Sequence, residues 1–141
     1  MERRILFFVG SYPDVRSAEG DFEALRILHS CDDIGAYDAA VLTTRSDGTL
    51  AVHKDERRSS RAAWIGAAAG AGADAWPPPL PGLTETDAHE IRDVVREGHA
   101  ALIVMAGVED TRKIEQTAVE ATRSSLKHLD ADFDAAERES R

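Results

Sequence analysis

The residues of this chain that could do chemistry are few and scattered. Histidines stand at His29, His53, His89, His99 and His128. No two are three or four apart, the spacing that sets a pair of imidazoles on one helix face for a metal. Each is expected to be structural or solvent-facing. The one pairing worth naming is His53, near the end of an expected strand, with His99, at the start of another. If the two met on one side of a sheet they would be the candidate metal or acid–base pair. Asp32-Asp33 and the series Asp130, Asp132 and Asp134 resemble cation-binding clusters, but neither has the loop glycine and distal glutamate of a calcium loop, so solvated faces are expected. Ser59-Ser60, Ser124-Ser125 and Cys31 have no histidine at a motif spacing, and Cys31, at a helix end, is expected to pack. Gly10, Gly70 and Gly72 make no dinucleotide fingerprint, because the glycines near 70 follow helix-forming residues instead of a strand. The sequence therefore points to no catalytic residue, no metal and no cofactor.

The most distinctive stretch is RRSSRAAWIGAAAGAGADAWPPPLP, residues 57–81. Gly66 and Gly70 form a GxxxG pair, and Ala62 extends the same ridge, so one helix face would be nearly flat and allow close backbone approach. Trp64 and Trp76 bracket the Gly66/Gly70 pair and are the only tryptophans of the chain. As a helix, 62–73 would rise roughly 18 Å, short of a hydrocarbon core of about 30 Å. Pro77, Pro78 and Pro79 cannot continue a helix and give an extended exit. Arg57, Arg58 and Arg61 put positive charge beside the apolar run, a pattern of helices that lie on membranes and a candidate anion contact. The candidate contact set is thus Ala62, Trp64, Gly66, Gly70 and Trp76.

At 141 residues and 43% hydrophobic content the chain is sized for one domain with a core. A net charge of −9 argues against nucleic acid as a partner, since its phosphates would repel the protein. The single cysteine fits a reducing compartment. The opening MERRILFFVGSYP has an apolar run too short for a signal-peptide core and reads as a strand, so the cytoplasm is the expected location.

Elements follow in order. Ile5–Val9 reads as a buried strand closed by Gly10 to Pro13. Asp14 is the expected cap of a helix with Ala18, Phe22, Leu25 and Leu28 on its apolar side, running to Asp32 or Asp33. Asp38–Arg45 and Thr49–Lys54 form an expected hairpin around Asp47-Gly48. After the insert, Thr84 to Asp87 offers helix caps, Ala88, Ile91, Val94 and Val95 make a stripe, and Gly98 falls where a C′ glycine belongs. Ala100–Val108 is a continuous apolar strand, and Asp110 or Thr111 caps a helix carrying Ile114, Ala118 and Ala121. Thr122–Leu126 is a short last strand, and 130–141 is an acidic tail. This order predicts an α+β domain with a ferredoxin-like split βαβ sheet, an inserted Gly/Ala-rich helix and a further C-terminal α/β extension. In that plan Ala100–Val108 falls at the sheet edge, covered by Thr122–Leu126 or by the same edge of a second subunit.

The segments VGSYPDVRSAEGDFEALRIL, YDAAVLTTRSDGTLAVHK, the Gly/Ala insert, GHAALIVMAG and LKHLDADFDA resemble a bacterial family known only as domain of unknown function number 1269. The resemblance covers most of the chain. It implies the same domain plan and a glycine-zipper helical hairpin, often taken to be membrane-associated and here cut down to Arg61–Trp76. It implies no reaction, cofactor or catalytic residue. The expected function is a non-enzymatic interaction or self-assembly module that uses the insert and the apolar strand edge. Its partner would be a second copy, first of all in a dimer, or another protein or a membrane surface. The alternative is a small-ligand binder or enzyme with a pocket between sheet and insert, using His53 or His99.

Overall fold

A computed structural model describes residues 5–44, 46, 50–55 and 85–129. The Gly/Ala insert and the acidic tail lie outside the described residues, as do the turn residues Asp47 and Gly48. The described chain is mixed α+β. Its elements are β1 (Ile5–Tyr12), α1 (Val15–Ser30), β2 (Tyr37–Thr44), β3 (Leu50–Asp55), α2 (Glu85–Glu97), β4 (Ala100–Gly107), a 3-10 turn (Val108–Asp110), α3 (Thr111–Thr117) and β5 (Arg123–Leu129).

The five strands form one sheet in the order β3-β2-β4-β1-β5, with every neighbouring pair antiparallel. β1 and β4 are buried along their whole lengths, as their unbroken apolar runs require of strands covered on both faces. This corrects the expected edge position of Ala100–Val108. β4 is the middle strand, paired with β1 on one side and β2 on the other. The hairpin strand β3 lies outside β2, and β5 pairs with β1 instead of β4. The apolar run was a signature of centrality, and no strand edge remains there to offer a second copy.

Pleating divides the sheet into two faces. On one, Leu6, Phe8 and Tyr12 of β1 join Ala39 and Val41 of β2 and Leu102 and Val104 of β4. α1 lays Ala18, Phe22 and Leu25 on this face, and α3 adds Ile114. On the other, Phe7, Met105 and Asp38 fall in one cross-strand row, and Val9, Ile103 and Ala40 in the next. α2 lies on this face against β1 and β5, with Val94 and Val95 buried.

The helix ends show the local chemistry. Asp14 caps α1 as expected, its Oδ1 accepting the Ser17 N–H at 2.8 Å. At the other end the Asp32 N–H donates to the His29 carbonyl and the Asp33 N–H to the Leu28 carbonyl, the paired bonds of a Schellman ending. Asp32 takes the left-handed conformation this needs, at φ 60°. Gly98 follows α2, but the reason for glycine there is close approach: a Cβ would lie 2.3 Å from the Tyr12 carbonyl oxygen and 2.5 Å from the Ser11 Oγ. Asp110 precedes α3 without capping it, because its carboxylate reaches back 3.0 Å to accept the Gly35 N–H. α3 ends at Thr117, so Ala118 and Ala121 belong to the following loop, where they still pack on the core.

Candidate functional site

The expected contact residues Ala62, Trp64, Gly66, Gly70 and Trp76, and the expected anion contacts Arg57, Arg58 and Arg61, lie outside the described residues. The flanks that hold this segment are described. β3 ends at Asp55, opposite Ala40 of β2, and α2 begins at Glu85.

His53 and His99 are not brought together. Val52 and Ala101 lie on opposite sides of Leu42, two strand spacings or about 10 Å apart. His53 turns to α1, its Nε2 2.7 Å from Glu19 Oε1. His99 is exposed, and its backbone N–H donates to the Tyr12 carbonyl at 3.1 Å. His29 sits 3.2 Å from the Gly35 carbonyl oxygen and edge-on to the Tyr37 ring, while His128 approaches the Thr111 hydroxyl. Each of these contacts is to the protein itself. Among the described residues no three histidines, cysteines or acids are grouped to hold a metal ion. Asp32 and Asp33 serve the end of α1, and the Asp33 carbonyl accepts from the Lys113 ammonium at 2.7 Å. Cys31 is exposed, which corrects its expected packing role: the helix needs only its backbone N–H, bonded to the Ile27 carbonyl.

The polar group that sequence reading missed lies under α1. Tyr12 Oη donates to Asp21 Oδ2 at 2.7 Å, and the same oxygen accepts the Glu120 N–H at 3.2 Å. Both side chains are buried. Burial pushes the Asp21 carboxyl above its ordinary value, with the Glu120 charge adding to it, while the hydrogen bonds from Tyr12 and Glu120 hold it back. The Tyr12 hydroxyl is raised far above the phenol range by burial, then by its bond to Asp21 and the Asp21 and Glu120 charges, so it stays a neutral donor. The arrangement ties β1, α1 and the loop before β5 to one carboxylate. The available signal was an acid at position 21, three residues after Ala18 and four before Leu25, within the apolar side of the helix.

No described helix is long and apolar enough to cross a membrane. No protein-family model, no curated protein and no solved structure matches the chain.

Proposed function

We propose that this chain is a non-enzymatic contact module, a ferredoxin-like domain of the cytoplasm that presents residues 57–81 to a second copy of itself, most simply in a two-fold dimer. The likeness to family number 1269 is part of this reading and rests on the sequence segments that carry it. The topology that supports a split βαβ core is the placing of β4: β1 and β2 are both antiparallel to it, hence parallel to each other, and α1 joins them. β3 is then an added edge strand.

The observation that carries the contact reading is the use of the described polar groups. His53, Asp21 and Asp110 are each engaged in a bond that fastens one element to another. The feature left with a contact chemistry is the Ala62/Gly66/Gly70 ridge with Trp64 and Trp76 beside it, small residues for backbone approach and aromatic anchors of the kind enriched at interfaces. The strand edge no longer contributes, and a membrane surface or another protein is the second partner class for the same ridge.

The test is mass in solution. Sedimentation at micromolar concentration is expected to give about twice the 15.3 kDa of one chain. A strictly monomeric mass across that range rejects self-association, and recovery only with membranes, resistant to salt and carbonate, transfers the ridge to a bilayer.

A further inference from the structure

The edge strand β3 does not pair evenly with β2. Val41 stands opposite Lys54 and Leu42 opposite Val52, so His53 is an extra residue, a β-bulge. A bulge interrupts the ladder, bends the strand and re-aims the side chain it carries. Here the side chain is aimed across the layer. Val41 belongs to the face covered by α1, and His53 Nε2 lies 2.7 Å from Glu19 Oε1 on that helix. The pair therefore fastens the edge strand to α1 at the point where its ladder to β2 is broken.

We propose that the His53–Glu19 pair is a pH-sensitive clasp on this edge of the sheet, firm when the imidazole is protonated and slack when it is neutral. The two side chains carry opposite charges only while His53 is protonated. With a neutral ring the carboxylate keeps at most a hydrogen bond, and with an imidazolium it gains the Coulomb attraction as well. Imidazoles as a class exchange this proton between about pH 5 and 8. Among the described residues the carboxylate that meets the ring is Glu19. On α1, Arg16 and Glu23 stand about one turn to either side of Glu19, and Glu23 is itself bonded to Arg26. On β2 the residues beside the bulge on that face, Val41 and Thr43, do not ionise, and on β3 Lys54 and Asp55 follow in the chain. The side chains of His53 and Glu19 are 43% and 38% exposed, so the clasp exchanges its proton with water without the fold opening. What it governs is the outer edge. A β3 that loosens uncovers the hydrogen-bonding edge of β2, the kind of template on which a strand of another chain adds. The clasp stands whatever the partner of residues 57–81.

Hydrogen exchange of the native chain, read on peptides from β3 and β4 at about pH 5.5 and about pH 8 and corrected for the intrinsic effect of pH on exchange, tests this. β4, the middle strand, is the internal reference for global stability. The ratio of β3 to β4 protection is expected to fall about two- to fivefold at the higher pH, the range of an exposed pair. His53→Gln and Glu19→Gln each keep a polar group without the titrating charge pair, and each is expected to make the ratio independent of pH. A ratio that does not change in the native chain overturns the proposal, and so does a change that survives in either variant. Where neither variant folds, about 1 M salt takes their place. Screening is then expected to erase the change in the native chain, and a change untouched by salt contradicts the clasp.

Discussion

The two faces of the sheet are fastened by different means. The α1 face is a continuous apolar layer with a polar tie, Phe22 and Leu25 packed on the strands and Tyr12–Asp21 at the Tyr12 end of β1. The α2 half of the opposite face buries Val94 and Val95, and ion pairs join it to β5 at the rim: Lys127 to Glu90 at 2.5 Å and Arg123 to Glu97 at 2.8 Å. An interior tie must be matched group for group, because an unpaired buried polar atom is costly, whereas rim pairs share their charges with water. The first face is built to hold one arrangement. The second is fastened at its margin, where water weakens each pair.

The largest difference between the faces is expected from Phe22→Ala. Phe22 is 1% exposed between α1 and the sheet, and its loss should cost about 3–5 kcal/mol in urea unfolding. A cost near that of a surface change would mean that α1 is not the main clamp. Gly98→Ala probes the other face. The new methyl must displace the Tyr12 backbone or the end of α2, at about 1–3 kcal/mol by the same measurement.

Asp21 separates the faces by pH. Its folded carboxyl holds a proton more tightly than the unfolded chain does, so the fold gains from this group as pH falls toward its ordinary 3.8 and loses as pH rises through the higher folded value. Asp21→Asn should remove that component: relative to the native chain, the variant should fare better at neutral pH than near pH 4. A stability difference that does not change between the two pH values would mean that burial does not set the titration of Asp21. The smallest effect is expected at the rim. Arg123→Ala removes an ion pair whose side chains are about half exposed, and should cost no more than about 1 kcal/mol, less in high salt.

Local features were legible in the sequence where one stretch of chain decides them. The unbroken apolar runs of β1 and β4, the capping aspartate at 14 and the two arms of the hairpin all stand close to where their residues place them. The order of the strands was not legible, because a run such as AALIVMAG says that both faces and both neighbours are present without saying which neighbours. β4 therefore passed for an edge while it held the centre. Gly98 was readable as special but not why: its reason is a carbonyl on β1, far away in the chain. Asp21 was readable only as an acid out of pattern, since its partners Tyr12 and Glu120 come from two other elements. The candidate contact segment was named from composition alone, by its small-residue spacing and its two tryptophans.

The central claim is that this segment joins two copies through its small-residue ridge. The most direct measurement is sedimentation of the native chain beside a Gly66→Leu, Gly70→Leu variant, with circular dichroism as the check on the sheet. The account predicts a dimeric native chain and a variant whose dissociation constant rises at least tenfold while the sheet signal and urea midpoint hold, because the larger side chains force the facing backbones apart. A native chain that is monomeric throughout, or a variant that unfolds without ever having associated, would contradict it.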